Sequence, residues 1–225
     1  MFPLKRARAA RNVQRHRIRT AVRLVGGLGL LILLGTLLLL LPGVATRPLA
    51  GNEALFTATS ALAVTGLSII VPGRDLNLAG QVILLLLIQV GGVGFMSAAV
   101  VILRLLGRRI SLADRLALRD SLGLLEPRAI LNIAGRVFLT SLAIQGAGAA
   151  LLWLSWRQML GNGRALFYAI FHATSAFCNA GFELFTGTPG YTGGIPTDPF
   201  TLGAFAGLII FGGLGIPVLS DLFWQ

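Results

Sequence analysis

The chain has 225 residues, of which 55% are hydrophobic and only 12% charged, with a net charge of +11 and a mean hydropathy of +0.82. Such a composition excludes an ordinary soluble domain and points to an integral membrane protein. The basic residues fall in blocks between apolar runs rather than on a soluble face interleaved with aromatics, which argues against nucleic-acid binding, and the lone cysteine, Cys178, excludes an intrachain disulfide framework.

In chain order, residues 1–23 carry Lys5, Arg6, Arg8, Arg11, Arg15, Arg17, Arg19 and Arg23 and no acid, so this end is predicted to stay cytoplasmic. Leu24 to Leu41 is the first predicted span. Its apolar core is longer than that of a secretory signal, and no small-x-small cleavage site follows it. Ala54 to Gly73 is uncharged but diluted by Thr57, Thr59, Ser60, Thr65 and Ser68, and Leu76 to Leu103 is a second apolar span. A linker over 107–129 follows. Within it SLADRLALRDSLGLLEP, residues 111–127, reads either as an interfacial amphipathic helix opened by Ser111 and Asp114 or as a solvated linker. Val137 to Trp156 is a third span, Ala165 to Phe182 a second diluted stretch, and Pro199 to Ser220 a fourth span.

The basic residues decide between four spans and six. If Ala54 to Gly73 crossed the bilayer, Arg104, Arg108, Arg109, Arg115, Arg119 and Arg128 would lie outside; if it dips in and returns, they lie inside. Four spans with two re-entrant segments also leave the outer segments with Arg47, Arg74, Arg157 and Arg164 balanced by Glu53, Asp75, Glu183 and Asp198.

The two dips are copies. ALFTATSALAVTG (54–66) and AIFHATSAFCNAG (169–181) are identical at seven of thirteen positions without a gap, and Val90-Gly91-Gly92-Val93-Gly94 is answered by Phe211-Gly212-Gly213-Leu214-Gly215. The reading is an all-α integral membrane fold of two span–dip–span units, at 24–106 and 130–225.

Non-helical backbone at membrane depth must be buried in protein or face water or an ion. A short helix over Ala54 to Ala63 followed by Val64, Thr65, Gly66 and Leu67 in extended form would offer successive carbonyls to a dehydrated cation. The negative helix end also favours a cation, and glycine tolerates the backbone angles that aim neighbouring carbonyls one way. The hydroxyls of Thr57, Thr59 and Ser60 would tie the loop to surrounding helices, while Ala58 and Ala61 permit close helix approach. Neither dip contains an acid, a lysine or an arginine, which argues against a carboxylate-ring filter and against an anion path.

TATSALAVTGLS, GQVILLLLIQVGGVGFMS, FHATSAFCNAGFELF and FGGLGIPVLSDL together resemble the Trk/Ktr/HKT potassium transporter superfamily, and the short amino terminus is similar to the Ktr type. The resemblance implies four membrane-pore-membrane units around a pseudo-fourfold axis and uptake of K+, sometimes Na+, with no cofactor and no enzymatic activity. Carried over by position, Gly66 and Gly181 would be filter glycines, flanked by Val64, Thr65, Leu67, Asn179, Ala180 and Phe182. A serine at the first filter position goes with sodium preference in plant members, and Gly66 resembles the potassium-permeable form. The resemblance also implies a homodimer in a bacterial inner membrane and a cytosolic ring of nucleotide-binding regulatory domains, for which the Arg104 to Arg128 block is a docking face. The chain holds two units where the family has four, so it is expected to be the amino-terminal part of a longer product or to need a second chain. The competing reading is a non-conducting assembly or regulatory subunit that keeps the repeat fold.

Other polar residues carry less. His172 aligns with Thr57 and Cys178 with Ala63, so both are read as packing positions and not as ligands or nucleophiles. Gly203 and Gly207 form a GxxxG step that is either a close helix contact or chance, and Gln89 either lines a pathway or bonds to a neighbouring backbone. Asp221 is read as an inner-end cap or a cytoplasmic group.

Overall fold

A computed structural model describes residue 22 and residues 25–92, 130–191 and 193–214, with side chains from Phe138 onward in the helix that begins at 130. The basic terminus, the linker at 107–129 with its Arg104 to Arg128 block, Gly94, Gly215 and Asp221 lie outside the described residues.

The architecture is helical, with no strand among the described residues. It comprises α1 (Val25–Leu39), α2 (Gly51–Leu62), α3 (Pro72–Asp75), α4 (Leu78–Gly92), α5 (Ile130–Leu160), α6 (Asn162–Phe177) and α7 (Pro199–Gly213). Local chemistry sets most boundaries. Pro42 and a left-handed Gly43 follow the end of α1. Asn77 Oδ1 accepts from the Gly80 N–H at the start of α4. Asp198 Oδ1 caps α7 by accepting from the Thr201 N–H at 2.9 Å, with Pro199 in the first turn.

α5 contains a 23-residue apolar stretch, Phe138–Leu160, long enough to cross a bilayer; α1, α4 and α7 are shorter apolar helices. Their outward faces are hydrocarbon: Leu30, Leu33 and Leu37 on α1, Leu139, Leu151 and Leu154 on α5, and Ile209 and Ile210 on α7 are exposed, Leu139 by 65%. So much exposed aliphatic surface would be a liability in water and suits a protein that sits in a membrane.

α2 packs on α4, and α6 is enclosed by α5, α7 and α4. The small residues placed by the sequence let these helices close up: Ala54, Ala58 and Ala61 on α2 and Ala165, Ala169 and Ala173 on α6 are completely buried. A side chain at Gly91 would collide with the carbonyl of Leu62 and one at Gly212 with that of Phe177, so each paired glycine seats a helix on the end of the preceding short helix of its own unit. Gly92 lies against Cys178, which joins the units. At Gly203 and Gly207, in contrast, an added Cβ would meet open space, so this GxxxG step is not a close contact among the described residues.

At one end of the molecule the segments flanking the first loop are clasped together. Ala45 bridges Leu76, Thr46 N–H donates to the Asp75 carbonyl at 3.0 Å, and Asn77 returns a bond to the Val44 carbonyl at 3.1 Å. Arg47 makes a bidentate pair with Glu53 at 2.8 and 2.9 Å and reaches Asp75 at 3.6 Å. Asp75 also accepts from Arg74 Nε and from the Val71 N–H, both at 2.9 Å. Four of the eight charges that balance on paper, Arg47, Glu53, Arg74 and Asp75, are thus paired in space. Burial alone would raise the Asp75 carboxyl, but the Arg74 guanidinium, the Val71 amide and Arg47 together hold it below the usual carboxylate range. A depressed folded-state pKa stabilises the fold above the unfolded value and loses that contribution as pH falls through the folded one. The thermal midpoint in detergent is therefore expected to fall below pH of about 4, and Asp75→Asn to start lower at neutral pH and show a weaker acid dependence. An unchanged acid limb in that variant would exclude Asp75 as its source.

Candidate ion-conducting site

The two short helices end in loops of the same conformation. Three bonds leave α2: Ala63 N–H donates to Thr59 O at 2.8 Å, Val64 N–H to Ala61 O at 3.2 Å and Thr65 N–H to Ser60 O at 2.9 Å. Three equivalent bonds leave α6: Cys178 N–H to Thr174 O at 2.9 Å, Asn179 N–H to Ala176 O at 3.0 Å and Ala180 N–H to Ser175 O at 2.7 Å. Each donor and acceptor in one set is displaced by 115 residues in the other.

Backbone angles repeat too. Val64 and Asn179 have φ of 54° and 56°, and Gly66 and Gly181 have φ of 79° and 72°, while Thr65 and Ala180 between them are not left-handed. The extended form expected for Val64 to Leu67 is therefore incorrect. An extended strand sends successive groups to opposite faces, whereas alternating the sign of φ lets neighbouring carbonyls turn to one side. Asparagine tolerates the left-handed region, but a β-branched valine there costs about 1–3 kcal/mol. The hydrogen bonds to Ala61 and Ser60 hold that strain in place.

The loops touch at their glycines. An added Cβ on Gly66 would stand 2.5 Å from the Ala180 carbonyl oxygen and 3.1 Å from the Gly181 Cα. Beyond them, Gly73 lies against the carbonyls of Leu184 and Thr186, and Gly187, at φ of 91°, against Arg74. All eight residues singled out in the sequence thus sit in two abutting loops: Val64, Thr65, Gly66 and Leu67 in one, Asn179, Ala180, Gly181 and Phe182 in the other. Thr65, Leu67, Asn179 and Gly181 are exposed, whereas Ala180 and Phe182 are buried. The carboxyl ends of α2 and α6 lead directly into these loops, so each helix dipole presents its negative end beside them.

The hydroxyls divide into three roles. Thr57 and Thr59 donate to carbonyls four residues back in α2, at 2.8 and 2.7 Å, and so satisfy themselves without tying the loop to another helix. Thr174 does bridge helices, donating to Gln145 Oε1 of α5 at 3.3 Å. Ser175 donates to the Phe182 carbonyl at 2.7 Å, inside its own loop, while its counterpart Ser60 is buried without a partner. Ser175→Ala is expected to lose about 1–2 kcal/mol by orphaning that carbonyl, and Ser60→Ala to be neutral or slightly stabilising. Thermal unfolding of the two variants side by side checks this.

His172 is more than the packing position its alignment with Thr57 suggested. Its Nδ1 lies 2.7 Å from the Tyr168 carbonyl, which only accepts, so Nδ1 carries the proton; Nε2 then accepts from the Leu184 N–H at 3.2 Å. The ring is 1% exposed and packs among Trp156, Phe185, Tyr168 and Phe171 at centroid distances of 5.1 to 5.8 Å. No sequence signal gave the Leu184 contact, because it depends on how the chain returns after the loop. Cys178 is buried against Gly92, as a packing residue would be. The Gln89 amide nitrogen is buried without a partner, so it bonds to no neighbouring backbone. Among the described residues no group of His, Cys, Asp and Glu is placed to hold a metal ion.

The fold is thus that of an all-α membrane protein whose two repeated loops present backbone rather than acidic side chains. The family model described as cation transport protein, TrkH, matches residues 11–225, and the chain belongs to that family, one of transporters and not of enzymes. The chain is 38% identical to the Ktr system potassium uptake protein B of Vibrio alginolyticus over 194 residues, 86% of this chain and 42% of that protein. It is likewise 38% identical to the Bacillus subtilis protein of the same name over 197 residues, covering 87% and 43%. It is 33% identical to the potassium/sodium uptake protein NtpJ of Enterococcus hirae over 213 residues, covering 92% and 46%. The chain therefore spans less than half the length of these curated relatives.

Proposed function

We propose that this chain supplies two pore loops of an uptake pathway for K+, with Na+ as a second passenger, and that Val64 to Leu67 and Asn179 to Phe182 form half of a backbone-carbonyl selectivity filter. The observation that carries this reading is the duplicated left-handed pattern in two loops that meet at Gly66 and Gly181. A cation stripped of its hydration shell needs a ring of oxygens, and carbonyls turned to one side provide them without a buried charge. The negative ends of α2 and α6 add a favourable potential. Potassium uptake is what the named relatives do, and it comes to this chain by that kinship.

Half a ring does not replace a hydration shell, so two further units complete it, in the same product or in a second chain. The contact between the units supports a ring: Gly92 of the first rests on Cys178 of the second, while the corresponding Gly213 faces open space and the corresponding Ala63 is exposed. In this reading each unit is span, re-entrant helix and loop, then span, with the boundaries at 24–106 and 130–225. The basic terminus is cytoplasmic in a bacterial inner membrane, and the assembly is a homodimer that docks a cytosolic nucleotide-binding ring. These last assignments rest on the resemblance and on the positive-inside rule.

Rubidium uptake in a potassium-transport-deficient strain tests the proposal, with the chain paired with the two units that complete the pore. Flux that is lost in Gly66→Ser and Gly181→Ser supports a pore. Flux unaltered by either substitution leaves the assembly or regulatory reading in its place.

A further inference from the structure

The two loops share a backbone conformation but are not held equally. The second is strapped to its own short helix at three points, by Ser175 to the Phe182 carbonyl, by His172 to the Leu184 amide and by the Tyr168 hydroxyl, which donates to the Leu184 carbonyl at 3.4 Å and lies 2.8 Å from Thr188 Oγ1. At the points of the first that match Ser175 and His172, Ser60 has no partner and Thr57 bonds only to Glu53 within α2. The difference extends to the surroundings. Phe182 and Leu184 are buried at 4% and 0% exposure, whereas the corresponding Leu67 and Ile69 of the first loop are exposed by more than half; the next pair, Phe185 and Ile70, is buried in both.

We infer that His172 is the positioning residue of the second loop: its neutral ring, with Nδ1–H on Tyr168 and Nε2 receiving the Leu184 amide, fixes where the Asn179 to Phe182 carbonyls stand, while the first loop adapts to it. The inference rests on the filter reading for its consequence in transport, but not for the strap itself. Three features make the ring suited to the task. It bridges twelve residues of chain, from the middle of α6 to the stretch beyond the loop. It cannot swing away, because Trp156 and Phe185 meet it at 5.4 and 5.1 Å and the Tyr168 carbonyl fixes its orientation. Finally, Phe182 and Leu184 are separated by a single residue, so the Ser175 and His172 bonds pin both sides of one short segment. A threonine, as at position 57, satisfies its helix but does not reach across.

The test uses the complete pore and two variants of similar volume. His172→Phe keeps the aromatic packing and removes the acceptor, and His172→Gln keeps an acceptor carbonyl. Amide hydrogen exchange over residues 182–186 reads the strap directly, and the ratio of Rb+ to Na+ uptake reads its effect on the filter. His172→Phe is expected to speed exchange in this segment by about fivefold, the loss of one net hydrogen bond, and to lower the uptake ratio by a similar factor; His172→Gln should restore much of both. Thr57→Val, at the matching place in α2, should leave exchange at 66–70 and the ratio unaltered. Exchange unchanged in His172→Phe, or changed equally in Phe and Gln variants that remain folded, overturns the strap. If Phe proves unfolded, His172→Gln alone decides: near wild-type exchange and ratio uphold the acceptor role, and fast exchange overturns it. Faster exchange with an unaltered uptake ratio overturns the positioning role, and combined with unaltered flux in Gly181→Ser it places the failure in the filter reading instead.

Discussion

Alanine at Gly66 is expected to destabilise the packing of these two units by about 2–5 kcal/mol, and alanine at Gly181 by about 1–2 kcal/mol. Both positions are left-handed, at φ of 79° and 72°, a region that costs an ordinary residue about 1–2 kcal/mol. The two then diverge. A Cβ on Gly66 would lie 2.5 Å from a backbone carbonyl oxygen of the opposing loop, which has no flexible side chain to move aside, whereas a Cβ on Gly181 would meet only the Gly66 Cα at 3.3 Å. The additional overlap at Gly66 adds about 1–3 kcal/mol against the native loop geometry. Thermal unfolding of this chain in detergent orders the variants. Equal losses, or the reverse order, would contradict the way these loops abut.

Alanine at Gly212 is expected to destabilise the protein by about 3 kcal/mol, and alanine at Gly91 by a similar amount, since in each case the added methyl would enter the backbone at the end of a short helix. Such a loss lowers the thermal midpoint by roughly 10 °C for a chain of this size. The control is Gly203→Ala on the same helix as Gly212, where a Cβ meets open space and the helix propensity gain is up to about 1 kcal/mol. A melt in detergent that places Gly212→Ala beside Gly203→Ala would remove the seating of α7 on α6 from the account.

The two matched short helices and the loops that follow them were readable from the chain because the duplication marks them. ATSA recurs with a glycine after it at fixed spacing, and the paired glycines that follow each copy recur as well. In space the first become matched helix ends and the second become the points where a neighbouring helix closes on them. Backbone conformation was only half legible. Glycine announced a left-handed position at 66 and 181, but nothing in the chemistry of Val64 announces one, and that residue is held there by its own bond to the Ala61 carbonyl and by the bond of Thr65 to the Ser60 carbonyl. The His172 strap was illegible for a different reason. Local alignment set His172 against a threonine, while its second partner, Leu184, is decided by the path of the chain after the loop. The Arg47, Glu53 and Asp75 cluster shows the same limit: the sequence balanced these charges by number, and only the fold places Asp75 where both Arg47 and Arg74 reach it.

The central claim is that ions pass where the two loops meet. Anomalous diffraction from crystals of the completed pore grown with Rb+ or Tl+ tests it most directly. The account predicts anomalous density within coordination distance of the carbonyls of Val64 to Leu67 and Asn179 to Phe182, and loss of that density in Gly66→Ala. Strong density elsewhere in the membrane region, with none beside Gly66 and Gly181, would contradict it.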